Sequence, residues 1–257
     1  MKYLLDLVVG ARPNFVKLAP VVRAIVANGV LDFRIVHTGQ HYDEEMADVF
    51  FTELCIPAPD VNLEVGSGSH GAQTARILER YEAHLMRDRP AATVVFGDVN
   101  SSLACALAAV KMRVPLAHVE AGLRSFDRTM PEEINRLLTD AISDLLLVSE
   151  PSGLANLRQE GVPECRARYV GNVMIDSLLG LLPAARRRHT SRRLGLEDQE
   201  YGLVTLHRPS NVDDPNTLAC LVELLHELAN ELPLVFPVHP RTLQAAKRMG
   251  GADRLAP

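Results

Sequence analysis

The sequence has few cysteines and no long apolar run, and each shortage closes off a class of protein. Its four cysteines, Cys55, Cys105, Cys165 and Cys220, are scattered without a CxxC pair. That spacing supports neither a zinc site nor a disulfide framework. Three of them sit in apolar sequence surroundings, where a free cysteine acts as a small core residue, and a reduced, cytoplasmic setting is expected. No stretch approaches the length needed to cross a bilayer, so no membrane association is expected. The opening MKYLLDLVVGARP is too short for a signal peptide and is interrupted by Asp6. It reads instead as a buried first strand. There is no internal repeat and no low-complexity segment. There is no basic excess either: the net charge is −5 and the pI about 6.0, which argues against a nucleic-acid partner. An acidic protein that binds an anion must do so with a local cluster of Arg, Lys and backbone N–H groups.

What is present is ordinary globular material. Of 257 residues, 47% are hydrophobic and 23% charged, enough for one large domain or two modest ones. Short apolar runs alternate with amphipathic stretches. The runs cover residues 3–9, 33–37, 93–96, 116–119, 145–148, 203–206 and 234–237. In the first stretch between them, Phe15, Leu18, Val22 and Ile25 recur on one helical face. In another, Ser69 is placed to cap a helix carrying Ile77, Leu78, Tyr81 and Leu85 inward. Alternating strands and helices imply an α/β fold with a parallel sheet covered on both faces. The charged segment LPAARRRHTSRRLGLEDQE breaks this rhythm. The expected organisation is a first domain over 1–182, a charged connection over 183–200, and the start of a second α/β domain over 201–257. A complete doubly wound domain needs on the order of 100–150 residues, so the second is expected to be incomplete.

Ligands of open parallel sheets bind at the carboxyl ends of the strands, so the polar residues after each run are the ones that matter. After the first run comes GARPNFVK, with a turn glycine, a proline suited to a helix start, and the cations Arg12 and Lys17. TGQHYD follows the second run and contains Gln40; its His41 and Asp43, with His37 at the end of the run, are too common a combination to imply a metal, and none is expected. The turn FGDVNSS carries Asp98, which is either a helix cap or a reacting carboxylate. HVEAGLR places Glu120 at the end of an apolar strand, where a carboxylate is costly unless paired or used, with Arg124 four residues on as a partner. PEEINR supplies Glu132, Glu133 and Arg136 at a helix start, where acids are favoured. Carboxylates gathered at one sheet edge raise one another's pKa, which is how acid and base are made at neutral pH. His207 and Arg208 follow the sixth run, and His239 the seventh. They are a candidate proton carrier, a candidate phosphate contact and a further polar candidate.

The segments GARPNFVKLAP, TGQHYDEEM, VFGDVNSSLA, HVEAGLRS, MPEEINRLLTD, VGNVMIDSL, LVTLHRPSN and FPVHPRT occur in this order. In that order the chain resembles the non-hydrolysing bacterial UDP-N-acetylglucosamine 2-epimerases, from the first strand to about residue 242. The resemblance implies two Rossmann-like domains of the GT-B type. It also implies reversible C2 epimerisation of UDP-N-acetylglucosamine through elimination of UDP to a glycal and re-addition, without a cofactor. It assigns catalytic roles to Asp98, Glu120, Glu132 and His207, and substrate contacts to Arg12, Lys17, Arg136, Arg208, His239 and Gln40. A homodimer is implied in the same way. The family's later glycine-rich, UDP-gripping segment has no match, so a C-terminally truncated member is expected, and a product without nucleotide binding is one alternative. Another is a hydrolysing relative that releases UDP and the free sugar. Asp43 stands where some members carry a second effector-site glutamine.

Overall fold

The computed structural model describes residues 2–39, 51–197 and 199–249. The chain divides into two compact units, Met1–Pro183 and Ala184–Pro257. The elements of the first run β1 (Tyr3–Val9), α1 (Arg12–Asn28), β2 (Leu31–His37), β3 (Val61–Asn62), α2 (His70–Arg87), β4 (Ala92–Phe96), α3 (Asn100–Lys111) and β5 (Leu116–Ala121). They continue with α4 (Pro131–Ile142), β6 (Leu145–Val148), α5 (Pro151–Gln159), β7 (Ala167–Tyr169) and α6 (Val173–Arg187). All seven strands pair in parallel in the order β3-β2-β1-β4-β5-β6-β7. The chain therefore winds outward from β1 in one direction, then crosses back and winds the other way from β4. The gap between β1 and β4 is the switch point where such sheets bind ligands.

Strand alternation explains the continuous apolar runs. Leu7, Val9, Ile35, Val94 and Phe96 face one layer, where Phe15, Leu18, Val22 and Ile25 of α1 cover them. Val8, Val36 and Val95 face the other, under Ile77, Tyr81 and Leu85 of α2 and the alanines of α3. A strand buried on both sides has no polar face to alternate with. Ser69 caps α2 by accepting from the Ala72 N–H, as its sequence implies. Asp6, which interrupts the first run, stays fully buried because it is saturated with donors. It accepts from Arg34 Nε at 2.8 Å, the Tyr81 hydroxyl at 3.1 Å and His84 Nε2 at 3.1 Å. Such pairing is the condition for keeping a charge in a core.

The cysteines need a correction. Only Cys105 is buried, while Cys55, Cys165 and Cys220 are exposed and all four are free. Apolar neighbours in sequence do not bury a residue on the outward side of its element. The charged stretch after residue 182 is partly helical: α6 runs on to Arg187, and α7 (Thr190–Arg193) follows.

The second unit holds β8 (Gly202–Leu203), α8 (Pro209–Val212), α9 (Pro215–Glu231), β9 (Leu234–Val235) and α10 (Pro240–Arg248). β8 and β9 pair in parallel beside a small core of Val212, Leu218 and Val222. Both strands are shorter than the apolar runs that mark them, because a ladder extends only as far as both neighbours continue. Asp214 caps α9 by accepting from the Thr217 N–H at 2.8 Å. Among the described residues, no helix is long and apolar enough to cross a membrane.

Candidate active site

Two turns interlock at the switch point. After β1, Asn14 Oδ1 accepts from the backbone N–H groups of Gly10 at 3.1 Å and Ala11 at 3.0 Å. Its Nδ2 donates to the Phe96 carbonyl at 2.8 Å, at the end of β4. Gly10 has to be glycine, since a Cβ there would stand 2.0 Å from Ser101 Oγ and 2.5 Å from Thr38 Oγ1. Lys17, one turn into α1, is buried and forms an ion pair with Glu120.

The turn after β4 is built around Gly97, whose φ is +62°. Its N–H donates to the Val119 carbonyl at 3.0 Å, and its carbonyl accepts from His118 Nε2 at 3.0 Å. A Cβ on Gly97 would meet Lys17 Nζ at 2.7 Å and Glu120 Oε2 at 3.1 Å. The missing side chain is the space in which that ion pair lies. Asp98 follows directly. It is not the cap of α3, a position held by Val99 without a side-chain bond. Its carboxylate pairs instead with Arg136, and its backbone carbonyl accepts from Asn135 Nδ2 at 2.8 Å.

Glu120, the last residue but one of β5, has an unusual backbone. Its φ is +74°, and the β5–β6 register slips between Val119 and Ala121. A non-glycine residue in this region costs of order 1–3 kcal/mol and persists only where its surroundings hold it. The result is that the carboxylate faces Lys17, not Arg124. Four-residue spacing brings side chains together on a helix, but Glu120 lies in a strand and Arg124 in the loop after it. Arg124 turns away to Asp140 at 2.7 Å and makes a two-pronged pair with Glu160 at 2.7 and 2.6 Å.

The two glutamates at the start of α4 separate. Glu132 is exposed. Glu133 is 2% exposed and accepts from the N–H groups of Ser125 at 3.0 Å and Phe126 at 3.1 Å, with Arg136 as its ion-pair partner. Burial opposes its ionisation, but these amides and the Arg136 charge outweigh it and hold the carboxyl below the usual range. Arg136 therefore bridges Glu133 and Asp98.

Four further residues frame the site: His118, Asn135, Glu133 and Asp140. His118 is recognisable as the neighbour of Glu120 two positions along the same strand; Asp140 carries no local signal. Asp140 Oδ1 lies 2.6 Å from His118 Nδ1, and its Oδ2 accepts from the Gly122 N–H at 2.9 Å and from Arg124. Burial works against its ionisation, but His118 and Arg124 together hold the carboxyl below the ordinary value. A group depressed in this way contributes stability above its unfolded pKa, about 3.9, and loses it as pH falls through the folded one. Asp140→Asn is therefore expected to lower stability at pH 7 and to flatten the loss of stability below about pH 4. Urea denaturation across that range checks this; equally steep acid loss in both proteins would place the titrating group elsewhere.

In the second unit, His207 and His239 follow β8 and β9, with ring centroids 5.6 Å apart. His239 Nδ1 accepts from the Arg241 N–H at 3.1 Å, which leaves Nε2 to carry any hydrogen. Arg208 is exposed at the start of α8. So in the first unit Lys17 and Glu120 meet over Gly97 and Asp98 beside it pairs with Arg136, and His207 and His239 meet in the second. Gln40, His41, Asp43 and the side chain of Arg12 lie outside the described residues. Among the described residues, no three of His, Cys, Asp and Glu cluster as metal ligands.

Comparison with known proteins gives a consistent result. The family model described as UDP-N-acetylglucosamine 2-epimerase matches residues 23–255. The chain is 46% identical over 247 residues to the UDP-2,3-diacetamido-2,3-dideoxy-D-glucuronate 2-epimerase of Pseudomonas aeruginosa, covering 95% of this chain and 68% of that protein. It is 42% identical over 256 residues to the UDP-N-acetylglucosamine 2-epimerase of Methanocaldococcus jannaschii, covering 98% and 70%. The crystal structure of the Methanocaldococcus jannaschii enzyme in complex with UDP-GlcNAc and UDP superposes with a TM-score of 0.87 at 42% identity, covering 98% of this chain and 70% of that one. A Rickettsia bellii UDP-N-acetylglucosamine 2-epimerase structure gives a TM-score of 0.87 at 30% identity, covering 100% and 67%. The expected α/β architecture of the GT-B kind is that of these neighbours.

Proposed function

The chain belongs to the UDP-N-acetylglucosamine 2-epimerase family, an isomerase family, and from that premise we propose that it interconverts UDP-N-acetylglucosamine and UDP-N-acetylmannosamine by inversion at C2. The observation that carries this reading is the position of Glu120. Its left-handed backbone brings a carboxylate to Lys17 over the side-chain-free face of Gly97, the residue before the Arg136-paired Asp98.

In the proposed reaction one carboxylate of the Asp98 and Glu120 pair takes the proton from C2. The electron pair of that C–H bond becomes the C1–C2 double bond of a glycal, and the C1–O bond breaks with its electrons leaving on UDP. The reverse steps, with a proton delivered to the opposite face, give the epimer. Two faces need two proton carriers, which a pair of separately held carboxylates supplies. Lys17 and Arg136 balance charge as UDP departs. Glu132, His207, Arg12, Arg208, His239 and Gln40 take their proposed roles from the resemblance alone, as does a homodimeric assembly.

Incubation with UDP-N-acetylglucosamine in heavy water tests this. Deuterium at C2 and a mixture of two UDP-sugars are expected by NMR. Free N-acetylmannosamine would instead mark a hydrolase, and intact substrate with no deuterium at C2 would overturn the reading. The Pseudomonas aeruginosa relative acts, by its name, on a diacetamido glucuronate. That similarity favours a second reading in which the preferred sugar carries a C6 carboxylate. The same incubation with that UDP-sugar separates the two by relative rates of exchange.

A further inference from the structure

His118 is fully buried on β5, and both of its ring nitrogens face acceptors. Nε2 lies 3.0 Å from the Gly97 carbonyl, which has no hydrogen to give. Nδ1 lies 2.6 Å from Asp140 Oδ1. A neutral imidazole has one donor and one acceptor nitrogen, so one surplus hydrogen must sit either on Nδ1 or on Asp140. The other oxygen of Asp140 decides between them. It already takes two N–H donors, the Gly122 amide at 2.9 Å and Arg124 at 2.7 Å, and Arg124 brings a full positive charge. Such donors favour the carboxylate form, which leaves the hydrogen on the imidazole. The charges then alternate along a chain, His118 positive, Asp140 negative, Arg124 positive and Glu160 negative, so no buried charge is left uncompensated.

We propose that His118 is held as an imidazolium and is a positioning residue for Asp98, acting through the Gly97 peptide. The Gly97 backbone, the most mobile kind a chain can have, is gripped from β5 at both ends, its N–H by the Val119 carbonyl and its carbonyl by His118. The Gly97 carbonyl and the Asp98 nitrogen share one rigid peptide plane. Fixing the first therefore sets where the Asp98 side chain starts. This rests on the assignment of Asp98 as a proton carrier, and the two ideas fail separately.

The test has two arms on the full chain. In the first, histidine-selective nitrogen-15 NMR at neutral pH, with His118→Gln used only to assign the signal, is expected to show hydrogens on both His118 nitrogens. A His118 nitrogen without hydrogen overturns the imidazolium. In the second, His118→Ala is expected to lower kcat for the UDP-sugar by about 100-fold, the scale of a misplacement of about 1 Å at a reacting centre. KM should stay within about threefold, and the double variant with Asp98→Asn should be no slower than Asp98→Asn alone. Losses that multiply, or a rise in KM that accounts for the whole effect, overturn the positioning role. Asp98→Asn at full turnover sinks the proton-carrier reading instead, whatever the NMR gives. The NMR arm needs no active variant, so the imidazolium on which the positioning rests can be overturned even where His118→Ala does not fold.

Discussion

Asp98→Asn is expected to lower deuterium exchange at C2 of the UDP-sugar by roughly 10²–10⁴-fold, the range for loss of a general acid or base. The same variant should unfold at nearly the same urea concentration as the parent. The local structure gives the reason for both halves. Among the described residues the Asp98 carboxylate has one ion-pair partner, Arg136, and its own side chain is 28% exposed, so its pairing contributes about 1 kcal/mol. Arg136 keeps Glu133 when Asp98 is neutralised, and the Asn135 bond goes to the backbone carbonyl, which the substitution leaves in place. Among the described residues nothing in the packing therefore needs this charge, while the proposed chemistry does. Exchange within about threefold of the parent would show that Asp98 only anchors Arg136. A matched fall in folding stability would show the same.

Gly122→Ala carries the largest expected effect on stability. At φ +81°, a Cβ on Gly122 would lie 2.6 Å from the Gly153 carbonyl oxygen and 2.8 Å from its carbon. The first turn of α5 is pressed against the end of β5 at that point, and the atoms in the way are backbone, which cannot rotate aside. Left-handed strain of about 1–2 kcal/mol adds to overpacking of about 1–3 kcal/mol, so a loss of about 3–4 kcal/mol is expected by urea denaturation. Gly29→Ala is the control. Its φ is +68°, but nothing lies within 4 Å of its Cβ position, so it should show the backbone strain alone. Equal losses at the two positions would mean that α5 shifts to admit the methyl group.

The sheet was largely legible in the sequence, for a definite reason. β1, β4, β5 and β6 are largely buried on both faces, so their runs are apolar apart from Asp6, Thr93, His118 and Glu120. The inward faces of α1 and α2 follow from helical spacing. Asp98 and Glu120 were legible as polar residues at strand ends, because a parallel sheet gathers those ends on one edge, and Lys17 and Arg136 as cations near the starts of helices. Their pairing was not. The partner of Glu120 is set by a positive φ and a register slip at a single residue, and neither leaves a periodic trace. Glu133 hides for a related reason. An acid in the first turn of a helix is ordinary, and only the folded-back loop at Ser125 and Phe126 turns this one inward. The cysteines misled because neighbours in sequence say little about which side of an element faces out.

The interlocked turns after β1 and β4 bear on how this sequence can change over generations. Gly10 lacks a side chain because Ser101 and Thr38 fill its place, and those two hydroxyls are bonded to each other at 2.7 Å. The three positions divide a single volume among themselves. A lineage that gained even a methyl group at position 10 would have to surrender atoms at position 101 or 38. Substitutions here are therefore free only in company, and a change that looks neutral at any one of the three is conditional on the other two.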